Sequence, residues 1–287
     1  MKHTLYLPDT FETTDVKTLL EEEWLVPRKV RHLLRTRKNV EVNDEPTMFH
    51  HEVNAGDKIT LTFEAADYPE VQLLLGNQEL VNVLFEDEHL IIVNKPVGMK
   101  THPNQPLEGN TLQNHVAAYL ASKDQSPYVV HRLDMETSGA ILFAKNPFVL
   151  PIIGRMMEAK EIKRVYHGVA QGKIGQKSFT VEKPIARDRH DKRKRIASDF
   201  NGQNAITHVE VVGFQDNHSQ VICTLDTGRT HQIRVHLDYM GYPLLGDPLY
   251  NPDSAPAERL MLHAASLELR HPFTKELVKG EALPSLW

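Results

Sequence analysis

The chain has 287 residues, of which 40% are apolar and 25% charged, and its formal net charge is −5. A single cysteine, Cys223, excludes an intramolecular disulfide and a cysteine-ligated metal cluster. A slightly acidic chain does not attract nucleic acid through its overall charge, so any such binding needs local basic patches.

The opening run Met1-Lys2-His3-Thr4-Leu5-Tyr6 has no signal-peptide core. No run approaches the roughly 18 apolar residues of a membrane span. We therefore expect a cytoplasmic chain that does not touch a membrane. The first basic patch runs from Pro27 to Lys38. Val30, Leu33 and Leu34 fall at helical spacing and form an apolar stripe, while Arg28, Arg31 and Arg35 line another face. Such a run is most often a solvated helix face. Asn39 to Asp44 reads as a short strand ending in a turn, and Val53 to Phe63 as a turn at Gly56-Asp57 followed by an alternating strand. Ala65 to Glu70 reads as a linker.

Val83 to Gly98 predicts two strand pieces joined by an acidic turn and closed by a Pro-x-Gly turn. A helix is expected from Thr111 to Leu120, capped by Asn110 or Thr111. His131-Arg132-Leu133-Asp134-Met135-Glu136-Thr137-Ser138-Gly139 then leads into the apolar strand Ala140 to Ala144. This places a carboxylate beside a guanidinium at the mouth of a buried strand. A carboxylate there needs a partner or a chemical task, because an unpartnered buried charge is costly. Asn146-Pro147 opens another helix with proline at its first position, and Pro151 blurs its start. Lys163 to Ala170 predicts a strand, and the basic run Arg187 to Arg195 a loop or hairpin suited to phosphate contact. Cys223 sits in the strand-like run Val221 to Leu225 and reads as a small buried hydrophobe.

Leu225 to Gly241 predicts a helix with Thr230 as N-cap, an apolar stripe of Ile233, Leu237 and Met240, and Gly241 as its stop. His231 and His236 are five apart, on different helix faces, which argues against a metal pair. Arg234 sits on a helix otherwise committed to packing. An arginine is favoured there when it meets a carboxylate in forked geometry, and Asp134 is the carboxylate we pair with it.

Four blocks carry a resemblance. They are Phe85 to Leu90 with Asn94-Lys95-Pro96 and Gly98, His131 to Gly139 ending in Ala144-Lys145, Thr227 to His236 with Gly241 to Asp247, and Leu262-His263-Ala264 with His271-Pro272. In this order they resemble the RluA-type pseudouridine synthases, over about residues 80 to 287. The basic helix, Val40-Glu41-Val42-Asn43 and Gly56-Asp57-Lys58-Ile59 resemble a small alpha-L RNA-binding domain of ribosomal-protein type, over roughly residues 12 to 64. The resemblance implies an α+β fold. It consists of a mixed, largely antiparallel-sheet catalytic domain (76–287) behind a small RNA-binding α/β domain (1–64) and a linker (65–75). It implies isomerisation of uridine to pseudouridine in ribosomal or transfer RNA without cofactor or metal, by a monomer with no protein partner.

Asp134 is then the nucleophile, and whether it attacks the base or the sugar, or abstracts a ribose proton, stays open. Arg234 holds and orients it. Tyr166 stacks on the uracil and is a candidate to assist proton removal at C5, although strand context alone reads it as a packed core aromatic. Arg132 fills the space of a flipped uridine or makes a plain salt bridge to Asp134 or phosphate. His131, Thr137, Arg229 and Ile233 join the RNA contacts, as do Arg28, Arg31 and Arg35. Ile233 and Leu142 wall the base, and Lys95 and His263 are structural. Two other readings compete. One is an RNA-binding module without catalysis, resting on Arg28 to Lys38. The other is a hydrolase using Asp134 with Glu136, which would release free uracil.

Overall fold

Alternation along the strands sorts side chains onto two faces, and this decides the architecture. A computed structural model describes residues 1–68, 72–253 and 257–284. Leu90, Ile92, Ala140, Leu142 and Ala144 enter one core, while Ile91, Val93, Ile141 and Phe143 enter the other. The main sheet runs Ser178–Glu182, Ile206–Gln215, His218–Leu225, Lys163–Gln171, Leu262–Arg270, Ser138–Ala144, Leu90–Lys95, Val83–Glu86. Leu277–Glu281 pairs with Leu262–Arg270, and Tyr128–Val129 with Ser138–Ala144. All these neighbours are antiparallel except Ser138–Ala144 and Leu262–Arg270, which run parallel and pair only at Ser138–His263 and Gly139–Ala264. The fold is therefore α+β with a largely antiparallel sheet, as the sequence implies. Its two halves meet at one short parallel seam.

Gly139 makes that seam possible. Its φ is +114°, and a Cβ there would lie 2.2 Å from the Ala264 carbonyl oxygen. Only glycine permits both the conformation and the approach.

The helix Leu112–Ala121 starts at a capping box in which the Thr111 side chain and Asn114 satisfy each other's free N–H groups. The helix Gln232–Tyr239 stops at Gly241, whose φ is +82°. Both helices fill the core on the face that carries Ile141 and Phe143. The helix Val149–Glu158 covers the opposite face with Val149, Ile152, Ile153 and Met156. It begins at Val149, and just ahead of it Asn146 Oδ1 accepts from the Val149 N–H at 2.9 Å. Pro151 falls in its first turn, where a missing N–H costs little.

The N-terminal sheet has the order Lys2–Tyr6, Lys58–Thr62, Val40–Val42, Glu45–Pro46. The basic helix Arg28–Arg37 packs on it through buried Leu34 and ends at Lys38 in the left-handed region. The expected linker begins as a turn, Ala65–Asp67, where Asp67 binds Arg37 at 2.6 Å. Pro69, Glu70 and Val71 lie outside the described residues.

The small sheet does not hang free. Its core is continuous with the face of the main sheet opposite Ile141 and Phe143. Trp24 meets Phe273 edge to face at 5.2 Å, and His3 stacks on Phe148 at 5.3 Å.

His3 and His89 are buried together in this junction. Burial, aided by the terminal ammonium, lowers the His3 pKa to about 4. Burial, aided by His271 and His3, lowers that of His89 to about 3. Both imidazoles are neutral in the native state, whereas the unfolded chain binds protons below its ordinary histidine value of 6.5. Their contribution is thus fully present above about pH 6.5 and is lost as the pH falls toward 4. Urea titrations near neutrality and at about pH 5 should show this loss, with His3→Phe reducing the slope by up to about 1.4 kcal/mol per pH unit. An unchanged slope in that variant would show that His3 is not the titrating group.

Candidate active site

The site is built on the seam. Residues 131–137 have no regular structure and run directly into the Ser138–Ala144 strand. Ser138 Oγ accepts from Arg259 Nη2 at 2.8 Å and lies 2.8 Å from His263 Nδ1. The other His263 nitrogen faces the Ala282 carbonyl at 2.8 Å. Lys95 holds the loop from below, because its buried ammonium donates to the carbonyls of Pro96, Met99 and Met135 at 2.7–3.1 Å. Burial lowers its pKa to about 8, against the pull of Asp134 and Glu136. The Gly98 N–H donates to Met135 at 2.8 Å, and Thr101 Oγ1 donates to the Leu133 carbonyl at 2.8 Å. The Thr137 N–H closes a turn onto the Asp134 carbonyl at 3.1 Å. Asp134 is thereby fixed by backbone bonds on both sides.

Arg234 is almost wholly buried, and the partner in its fork differs from the sequence expectation. Its Nε and Nη2 donate to the two oxygens of Asp247, each at 2.8 Å. Nη1 donates to Asp134 Oδ2 at 3.1 Å. One guanidinium therefore spends its planar fork on a buried anchor and offers its remaining nitrogen to Asp134. Burial opposes its charge, but Asp247 and Asp134 together raise its pKa. The Tyr250 ring lies 5.2 Å from the guanidinium carbon. Glu136 reaches the same Nη1 at 3.9 Å. Asp134 and Glu136 thus lean on one nitrogen instead of flanking a bond from two sides, which disfavours the hydrolase reading.

Four expectations need correcting here. Thr230 is not its cap. His231 holds that position in the left-handed region, with φ +58°. The Gln232 side chain accepts from the Arg229 N–H at 3.0 Å, and Thr230 Oγ1 accepts from Arg132 Nη2 at 2.8 Å. Arg132 therefore makes no salt bridge with Asp134. Met240 is exposed, because the helix has already ended at Tyr239. Leu142 belongs to the opposite core, since strand alternation turns it away from the site.

The resulting groove encloses about 480 Å³ and is lined by His131, Arg132, Asp134, Thr137, Tyr166, Arg229, Ile233 and Arg234, among others. That volume lies within the roughly 300–1,000 Å³ of small-ligand sites. Leu133, Ile233 and Leu262 give it an apolar wall. Tyr166 reaches it from the Lys163–Gln171 strand beside a register shift between Val165 and Tyr166. Its hydroxyl pKa is raised, chiefly by burial and further by Asp134. His131 Nε2 accepts from the Leu142 N–H at 3.2 Å, and burial, with Arg164 nearby, lowers its pKa to about 3. This imidazole is a neutral support for the strand. Arg229 Nε is tied to the Asn204 carbonyl at 3.0 Å.

Arg28, Arg31 and Arg35 are not in this groove. They line a second depression with Lys29, His32 and Phe49. Arg28 and Arg35 are exposed, whereas Arg31 is mostly covered and paired to Glu21 at 2.8 Å. The second basic run is a hairpin, with Ile185–Arg187 paired to Arg195–Ala197. The Tyr250 hydroxyl joins it to the site, accepting from the Arg195 N–H at 2.8 Å and lying 2.9 Å from His231 Nδ1.

Neither ring nitrogen of His236 is available to a metal, being engaged by Thr207 and the Lys183 carbonyl. Among the described residues, His3, Glu88 and His89 have ligand atoms within 4.8 Å of one another, outside this groove.

Sequence reasoning missed Asp247 as the anchor. The available signal was Gly246-Asp247-Pro248, a turn sequence in which Asp247 accepts from the Leu249 and Tyr250 N–H groups at 2.9 and 3.1 Å.

Residues 89–239 match the family described as RNA pseudouridylate synthase, and residues 3–59 match the RluD ribosomal pseudouridine synthase N-terminal domain. An uncharacterized RNA pseudouridine synthase, YhcT of Bacillus subtilis (strain 168), is 39% identical over 86% of this chain and 82% of its own length. Ribosomal large subunit pseudouridine synthase D of Neisseria meningitidis serogroup B is 34% identical over 84% of this chain and 67% of its own. The structure of human RNA Pseudouridylate Synthase Domain Containing 1 superposes with a TM-score of 0.60 at 24% identity, covering 74% of this chain and 86% of that one. This last likeness concerns the fold.

Proposed function

The chain belongs to the RNA pseudouridylate synthase family, and from that premise we propose that its substrate is a uridine of ribosomal RNA and that Asp134 is its nucleophile. It is an isomerase acting on RNA. The N1–C1′ bond of uridine breaks, the uracil turns, C5 bonds to C1′, and the proton lost from C5 is balanced by one gained at N1. No atom enters or leaves, so a site of side chains alone suffices.

The observation that carries the assignment is Asp134 Oδ2 on Arg234 Nη1, at the wall of a groove of nucleotide size. Arg234 stabilises the anionic carboxylate and fixes its direction, while Asp247 keeps Arg234 from turning. Tyr166 serves as a stacking face for the uracil. Its raised pKa leaves a neutral phenol at physiological pH, which is a poor base. Arg132 is exposed at the groove, where its Nη2 donates to Thr230 Oγ1. From there it fills the gap left by a uridine flipped out of a stem. Thr137 and Ile233 complete the pocket. The ribosomal substrate is supported by the N-terminal match and by the relative's name. We divide the chain into the small domain 1–64, a linker 65–75 and the catalytic domain 76–287. We also place it in the cytoplasm as a monomer. Among the described residues, no helix is long and apolar enough to cross a membrane.

A pseudouridine map of total RNA, from cells with and without this gene, tests the proposal. One or a few ribosomal sites should vanish and return with the wild type but not with Asp134→Ala. Loss of transfer RNA sites instead would move the substrate class. An unchanged map would overturn the ribosomal reading in favour of RNA binding without modification.

The depression at Arg28 and Arg35 should add ion pairs to RNA phosphates. Arg28→Glu with Arg35→Glu should weaken RNA affinity and flatten its salt dependence, by up to about 0.9 in the log–log slope for each phosphate of a duplex no longer neutralised. Arg31 is better left intact, because it braces Glu21. A salt slope equal to that of the wild type would remove this helix from the interface.

A further inference from the structure

Arg164 sits on the same strand face as Tyr166 and lines the same groove. It is 7% exposed, yet its Nε has no hydrogen-bond partner, and its Nη2 reaches only the Leu225 carbonyl at 3.5 Å. Among the described residues it makes no ion pair. Arg234, 1% exposed and lining the same groove, makes bonds to two carboxylates. A buried guanidinium without an anion is costly, and an anionic ligand would offset that cost. The neighbouring loop leaves room for that ligand. Gly228 faces the guanidinium without a side chain, and a Cβ there would lie 3.0 Å from Nη1.

We propose that Arg164 is the binding residue for a backbone phosphate of the uridine nucleotide held in this groove. The inference rests on the RNA substrate proposed above. Uracil and ribose are neutral, so the phosphates are the anions that the substrate brings. A planar guanidinium matches two phosphate oxygens. Arg164 makes no hydrogen bond or ion pair with Asp134 or Arg234, so it anchors the strand and takes no part in bond breaking.

The test uses the full-length protein, labelled with nitrogen-15, with the Arg164 Nε–H signal assigned by its absence in Arg164→Lys. Uridine 5′-monophosphate at millimolar concentration should move this signal, and uridine at the same concentration should not. An equal shift with uridine would mean that the guanidinium reads base or ribose. No shift with the monophosphate would mean that it reads neither. Either result overturns the proposal.

Kinetics with the RNA substrate give a second readout. Arg164→Met should raise KM about 10- to 100-fold with little change in kcat. Arg164→Lys should recover part of the loss. Because the variant removes an unpaired buried charge, its melting temperature should be unchanged or higher. A lower melting temperature with an unchanged KM would make Arg164 structural and sink the idea. Failure of the ribosomal reading would appear separately, as an unchanged pseudouridine map in cells, while the nucleotide titration still reports on Arg164.

Discussion

Asp134→Asn is expected to abolish pseudouridine formation while the protein stays folded and holds RNA. The substitution removes the oxygen proposed as the nucleophile and little else. Arg234 keeps its two bonds to Asp247, and the asparagine carbonyl still accepts from Nη1. No buried group is orphaned, so stability should change by about 1 kcal/mol or less. Loss of a nucleophile from an assembled site costs about 10⁴-fold or more in kcat. A single-turnover pseudouridine assay, run beside thermal denaturation and an RNA-binding titration, checks all three statements. Turnover within tenfold of the wild type would remove Asp134 from the nucleophile's role.

The second large effect lies one bond further back. Asp247 is fully buried and anchors the fork of Arg234, so breaking that pair leaves an uncompensated charge in the core. Arg234→Met and Asp247→Asn should each cost about 3–5 kcal/mol, because a lone buried charge or an unfilled fork is poorly solvated. For a chain of this size that is a melting-temperature drop of roughly 10 °C. Both should also lose activity, since Asp134 then loses its orientation. The double variant Arg234→Met with Asp247→Asn should be less destabilised than the sum of the singles, because the two residues form one unit. Additive losses would show that the pair is not coupled. The contrast with Asp134→Asn matters here. Two aspartates touch the same guanidinium, but only the one on the groove wall can be neutralised without unfolding the site.

The strands, a helix cap at Asn110 or Thr111 and the stop at Gly241 are legible in the sequence because each depends on neighbours a few residues away. The pairing of Asp134 with Arg234, 100 residues apart, follows from residue chemistry and from the ordered motifs. What escapes is second in line. Asp247 sits in a turn that reads as ordinary punctuation, and its role appears only when the chain folds Arg234 against it. Thr230 has the chemistry of a cap, yet tertiary structure gives the cap position to His231 and uses Thr230 to hold Arg132. Leu142 reads as a wall of the site because an apolar run is buried on both sides and hides its own register. Arg164 looks like one more charged strand residue, since sequence cannot reveal that a cation has no anion.

The continuous core between the small sheet and the back of the main sheet sets a fixed geometry for substrate choice. A domain on a flexible tether samples positions, and its benefit depends on linker length. Here Trp24 and His3 are wedged among Phe273 and Phe148, so the basic helix keeps one distance from Asp134. Under the RNA contacts proposed for Arg28 and Arg35, that helix and the groove at Asp134 act together as a ruler. An RNA engages both only if its own fold places a phosphate ridge at that span from the target uridine. Selection by measured span lets one enzyme ignore identical sequences that are folded differently.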